Sequence, residues 1–312
     1  MSLIPACIAL TSTLSEMIPI RLNEMTQHLE YLKDLTQFCQ FEESQGALSA
    51  RSNKDFTFEK IEFKNVSFSY PGTGKLVLNH VSFTIRPGRQ YAFVGENGAG
   101  KTTVIKLLTG QYLNYEGEIF LNNRELKDYA TFELKAFFNV VYQDFAKYEI
   151  SLKENILLGN LEERDENRLQ EVIKALELEE LVSNLPKGLD TQLGKVSEDG
   201  VDLSDGQWQR IALARMVINP TSIKILDEPT AALDPLSESH LYKQFEKLIR
   251  GQTSIFISHR LGSIKLADEI FFFDKGTLIE QGTHEGLMIR KAKYAQMYRK
   301  QLEWYIQGGG MS

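Results

Sequence analysis

Between Leu14 and Phe38 the apolar residues Leu14, Ile18, Leu22, Met25, Leu29, Leu32, Leu35 and Phe38 recur every three or four positions, with Glu24, Glu30, Lys33 and Asp34 between them. A repeat near 3.6 places them on one stripe and predicts an amphipathic helix. Pro19 falls inside the pattern and predicts a kink or a late start, because proline lacks the N–H of the helical ladder. The polar stretch from Glu42 to Lys54, broken by Gly46, reads as a linker. The period then changes to two. Ile61–Lys64, Val66–Tyr70 and Val81–Ile85 alternate apolar with polar, with a turn at Pro71-Gly72, and predict an antiparallel sheet. From about Glu154 to Leu185, Glu, Leu and Lys at helical spacing predict a helical insert ended by Pro186-Lys187-Gly188. The short β-branched runs Ser222–Leu226 and Thr253–Ile257 predict buried parallel strands of an α/β core.

The chemistry begins where the apolar run Tyr91–Val94 enters Gly95-Glu96-Asn97-Gly98-Ala99-Gly100-Lys101-Thr102, followed by Thr103. This is GxxxxGK[ST], a loop whose glycines let successive N–H groups turn onto phosphates while the next helix aims its positive end at the same anion. Lys101 is placed to reach the β- and γ-phosphates, and the Thr102 hydroxyl to ligate Mg2+. Asp227-Glu228 follows a second apolar strand, at the strand end where α/β ligand sites lie. Asp227 suits the metal shell and Glu228 suits a general base; without the phosphate loop the pair would read as a solvated acidic turn. Leu203-Ser204-Asp205-Gly206-Gln207 opens another helical run, where Ser204 alone reads as an N-cap.

Composition narrows the picture without redirecting it. With 42% hydrophobic and 25% charged residues the chain is an ordinary globular one, and a net charge of −7 without basic runs argues against nucleic acid as a partner. Cys7 and Cys39 lack metal-ligand spacing, which argues against zinc and for a reduced setting. The early apolar run Leu3–Leu10 contains Pro5 and falls short of the roughly 20 residues of a membrane helix.

Together these motifs, in this order, resemble the nucleotide-binding domain of ABC transporters over about Phe58 to Leu287. Gly95 to Thr103 is similar to the family's Walker A, Gln143 to its Q-loop, Leu203–Gln207 to its signature motif, and Asp227-Glu228 to its Walker B end. Ala231–Asp234 resembles its D-loop and His259 its switch histidine, while Tyr70 falls where the family stacks an aromatic ring on adenine. The resemblance implies a P-loop α/β core with an antiparallel β subdomain and a helical subdomain. It implies ATP and Mg2+ as ligands, with Gln143 and His259 beside Glu228 in catalysis. It also implies a head-to-tail dimer, in which Ser204, Gly206 and Gln207 contact ATP held by the other copy and Asp234 crosses the dimer. The expected organisation is an N-terminal helix over 1–45, a linker over 46–57, the ATPase domain over 58–290 with its helical part at about 144–218, and a C-terminal helix and tail over 291–312.

Two positions depart from the family pattern. Asp205 stands where LSGGQ has its first glycine, adding a carboxylate near a triphosphate, and Ala231 stands for a frequent serine. Glu198-Asp199-Gly200 resembles the exporter-specific E-x-G segment, and the N-terminal helix looks like the cytosolic end of an exporter's last membrane helix. The expectation is therefore the ATPase of an exporter half-transporter at the cytoplasmic face of the membrane, homodimeric and joined to a transmembrane domain. A free-standing subunit docking on separate membrane proteins, and a non-transport ATPase of the same family, stay open as alternatives.

Overall fold

The computed structural model describes residues 3–40, 57–196, 199–227, 247–248, 251–257, 264–265 and 267–308. Contacts divide the chain into two compact units, Met1–Ala47 and Leu48–Ser312. The first contains the helix α1 (Leu3–Cys39), which begins well ahead of Leu14 and is continuous through Pro19. The expected late start is not seen, since proline costs the helix one ladder N–H while a helix of 37 residues keeps the turns on either side. Within it Arg21 pairs with Glu24 at 2.7 Å, and the Thr26 and Thr36 hydroxyls donate to carbonyls four residues earlier. No helix among the described residues is long and apolar enough to cross a membrane. The expected linker at 46–57 lies outside the described residues except for Thr57.

Two sheets organise the second unit. The antiparallel one has the order β2-β1-β4-β5, from β1 (Ile61–Ser69), β2 (Leu76–Ile85), β4 (Glu116–Leu121) and β5 (Arg124–Glu125). Two runs separate in the sequence pattern become the single strand β1. Ile61 and Phe63 face the core at odd positions, Asn65 takes a left-handed backbone (φ 55°), and the pairing register with β2 shifts between Phe63 and Val66. That bulge flips the parity, so Val66 and Phe68 at even positions face the same core. Phe63 stacks on Phe83 across the ladder, centroids 4.4 Å apart.

The second sheet has the order β10-β9-β3-β8-β7-β6, built from β3 (Gln90–Val94), β6 (Phe138–Val141), β7 (Ile223–Asp227), β8 (Thr253–Ile257), β9 (Glu269–Asp274) and β10 (Thr277–Gly282). All neighbours pair in parallel except β10, which returns antiparallel on β9. β3, β7 and β8 are buried almost throughout, as strands covered on both faces must be, and carry Gln90, Lys224, Asp227, Thr253 and Ser254 among their apolar residues. One apolar cluster joins the two sheets around α2 (Lys101–Leu108). Another holds the helices α4 (Leu152–Leu157), α5 (Glu166–Ala175), α6 (Glu179–Asn184) and α7 (Asp205–Ile218), and α3 (Thr131–Phe137) leads directly into β6.

One charge lies inside this second cluster's edge. Lys224 on β7 is 1% exposed, and its ammonium donates to the carbonyls of Met216 (2.9 Å) and Asn219 and to Thr221 Oγ1 (3.2 Å). It closes the C-terminal end of α7, where carbonyls have no helical partner and a cation is favoured.

A third cluster packs α8 (His284–Arg290) and α9 (Lys293–Gly308) on β9. His284 Nδ1 lies 2.7 Å from Tyr294 Oη, and its ring lies 4.7 Å from that of Tyr298. Burial lowers the imidazole pKa; Glu285 opposes the shift and Lys265 adds to it. The unfolded chain therefore protonates first. This contribution to stability is complete above about pH 6.5 and is lost as pH falls from there towards the folded-state value. Denaturation midpoints are expected to fall between about pH 7.5 and 5.5, and His284→Gln to flatten that slope in equilibrium denaturation series.

Candidate functional site

The loop after β3 has a conformation that its glycines alone permit. Gly95 sits at φ 149°, and a Cβ there would lie 2.2 Å from the Phe273 carbonyl oxygen on β9. Gly100, at φ 99°, is the N-cap of α2, and a Cβ there would press on Leu78 and the Val77 carbonyl. Both positions need a left-handed backbone and a close approach of neighbouring chain. Lys101 is 5% exposed, and its ammonium bonds to the carbonyls of Gly95 at 2.8 Å and Glu96 at 3.0 Å. The lysine thus spans the loop it follows and is already desolvated.

The strand order sets what faces this loop. Asp227 ends β7, which is separated from β3 by β8 alone, so its carboxylate and the phosphate loop share the C-terminal edge of the sheet. Thr102 Oγ1 donates to Asp227 Oδ1 at 3.2 Å. A cavity of about 460 Å3 collects Tyr70, Asn97, Gly98, Gly100, Lys101, Thr102, Thr103, Gln143 and Asp227, with Val77 on its wall. Four segments far apart in the chain therefore meet in one place. Glu96 and Ala99 belong to the same loop but do not line this cavity.

Several contacts here had no signal in the motifs. Tyr70 Oη and Thr103 Oγ1 share a hydrogen bond of 3.0 Å, and the Tyr70 ring stands edge-on to Tyr112 at 5.2 Å with Lys106 over it at 5.5 Å. Beside Gln143, the Tyr142 phenol accepts a bond from Gln111 just after α2. Burial pushes its pKa up, with the Asp227 charge adding to the effect. The Gln111 side chain thereby holds Tyr142, the residue before Gln143, where the chain leaves β6.

The signature residues do not join this cavity. Ser204, Gly206 and Gln207 stand at the N-terminus of α7, where Ser204 Oγ accepts the Gln207 N–H at 3.3 Å and Gln207 Oε1 accepts the Ser204 N–H at 2.9 Å. This reciprocal capping box satisfies two otherwise free donors. Glu198, Glu228, Ala231, Asp234 and His259 lie outside the described residues.

The donors at the cavity floor suit magnesium. A hydroxyl, a carboxylate and an amide are hard ligands, and magnesium is commonly held by one or two carboxylates together with substrate phosphates. A strand-borne glycine loop with a desolvated lysine, opposed by a carboxylate on the next strand but one, makes this a P-loop nucleotide-binding protein.

Comparison with known proteins sharpens that class. Residues 78–231 match the family described as ABC transporter. The subtilin transport ATP-binding protein SpaT of Bacillus subtilis is 39% identical over 86% of this chain and 43% of its own length. The ATP-dependent lipid A-core flippase of Pseudomonas aeruginosa is 36% identical over 84% of this chain and 42% of its own. The structure of a bacterial Atm1-family ABC exporter with ATP bound superposes with a TM-score of 0.76 at 28% identity, covering 91% of this chain and 49% of that one. The chain carries the nucleotide-binding domain of the ABC transporter family. It spans less than half the length of the two curated relatives.

Proposed function

We propose that this chain is the ATP-hydrolysing part of an ABC exporter, working as a head-to-tail homodimer attached to transmembrane domains at the cytoplasmic face of the membrane. The observation that carries the reading is the single cavity in which Tyr70, Lys101, Thr102, Gln143 and Asp227 converge. Tyr70 offers a ring face to adenine, and stacking of that kind serves affinity better than choice of base. Lys101 and the loop N–H groups hold the β- and γ-phosphates. Thr102, Asp227 and Gln143 would hold the magnesium ion. Bound there, magnesium would neutralise charge on the phosphates. Glu228, directly after Asp227, takes the proton of the attacking water, with Gln143 orienting that water and His259 contacting the γ-phosphate. Ser204, Gly206 and Gln207 face the ATP of the second copy, and Asp234 crosses the dimer.

The relatives named above are a subtilin transporter and a lipid A-core flippase, so what their names share is transport rather than cargo. A second concavity, about 530 Å3, opens beside Gln143 between β6, residues 144–148 and α7, with Tyr142, Phe145, Tyr148 and Leu158 on its walls. Its lining, in which these apolar side chains stand among Lys135, Asp144 and Arg215, suits the docking of a transmembrane partner through both apolar and charged contacts.

Lys101→Ala tests the reading. Hydrogen bonds to a charged group contribute about 1.5–3 kcal/mol, so affinity for ATP is expected to fall roughly ten- to hundredfold in a titration of the full chain with a fluorescent ATP analogue. Undiminished affinity would reject the assignment.

A further inference from the structure

The segment after Gln143 carries a lysine to which no motif assigns a part. Lys147 Nζ lies 2.6 Å from Asp205 Oδ1, and Asp205 is the first residue of α7, the place where this chain departs from the commoner glycine. A carboxylate there answers the helix's own positive end and repels a second anion approaching it.

The pair is held by more than its charges. Both neighbours of Lys147 are fastened to α7, the helix that carries Asp205. Arg215 Nη1 donates to the Ala146 carbonyl at 2.7 Å, and the same guanidinium lies over the Tyr148 ring at 5.0 Å. Its Nη2 and Nε bond to Asn155 Oδ1 and the Asn155 carbonyl at 2.5 and 3.0 Å. Asn155 Nδ2 in turn donates to the carbonyls of Tyr148 and Ile150 at 3.0 and 3.1 Å. The backbone on either side of Lys147 is therefore tied to the body of α7, which presents the ammonium to the end of the same helix. The other carboxylate of this loop, Asp202, has a lysine of its own, Lys195 at 2.9 Å. The acids that flank Leu203-Ser204 are thus each matched by a cation.

We propose that Lys147 is a positioning residue for the signature loop: by pairing with Asp205 it cancels the carboxylate at the start of α7 and lets that end of the helix accept the triphosphate held by a second copy of the chain. This rests on the reading of Ser204, Gly206 and Gln207 given under Proposed function.

The test is steady-state ATP hydrolysis by the full chain at low and high salt, with ATP-dependent self-association followed in parallel. Lys147→Ala is expected to raise KM for ATP roughly three- to tenfold at low salt and less at high salt, with little change in kcat, because exposed charges act modestly and are screened. Lys147→Arg should stay near wild type. In an Asp205→Gly background Lys147→Ala should leave KM unchanged, since no carboxylate is left to cancel. Lys153→Ala, which removes an unrelated surface pair with Glu166 at 2.5 Å, should not raise KM. An unaltered KM in Lys147→Ala, or an equal rise with Asp205 already replaced, would overturn the proposal. A wild-type chain showing neither turnover nor ATP-dependent self-association would overturn the underlying reading and this one with it; that outcome stands apart because it needs no substitution to appear.

Discussion

Glu228→Gln is expected to lower ATP turnover by roughly a hundred- to ten-thousandfold while ATP binding persists. The argument starts at β7. β7 is five buried residues ending at Asp227, whose carboxylate bonds to Thr102 at the lip of the phosphate loop. The next residue in sequence is Glu228. An amide of the same size keeps the shape of the side chain but takes no proton from water, so binding and chemistry separate. Single-turnover hydrolysis and nucleotide titration of the same preparation check both halves of the expectation. Turnover within a few-fold of wild type would remove Glu228 from the role of general base.

The second large effect is on stability. Lys224→Ala is expected to destabilise the protein by about 2–4 kcal/mol, read from the midpoint of urea denaturation at constant slope. Its ammonium is bonded to two carbonyls at the end of α7 and to the Thr221 hydroxyl, in a place closed to water. Truncation leaves those acceptors buried without that donor and opens a space the length of the side chain. Lys224→Met fills much of the space but supplies no donor, and should recover less than half of the loss. A midpoint unchanged in both variants would show that water reaches this end of the helix.

What the sequence reveals and what it hides divide along chain distance. The phosphate loop is readable because its demands are local: Gly95 and Gly100 occupy backbone conformations that side chains resist, and Lys101 must follow at a set interval. The antiparallel β1–β2 pair is readable for a similar reason, since alternation is written residue by residue. Strand order is not. That β8 lies between β3 and β7 depends on a β3–β8 pairing across more than a hundred positions, and it is this order that sets Asp227 opposite the loop. Lys224 is invisible in another way: within an otherwise apolar strand it reads as an outward-facing interruption, and only the end of α7 explains its burial. The Lys147–Asp205 pair joins residues 58 apart with no pattern between them. At α1 the periodic residues from Leu14 onward carried the expectation, whereas the helix also takes in the preceding turns, which lack so regular a stripe.

The reciprocal bonds between Ser204 and Gln207 engage two of the four N–H groups at the start of α7 and leave those of Asp205 and Gly206 open. An arriving phosphate would meet the open Asp205 and Gly206 N–H directly, and at the Gln207 N–H would have to take the place of the Ser204 hydroxyl. Such an exchange is nearly even in energy, since a cap of this kind is worth only about 1 kcal/mol. The helix can pass from one acceptor to the other without fraying at either stage. Binding at this end would then be easily reversed, as a cycle that must open as readily as it closes requires.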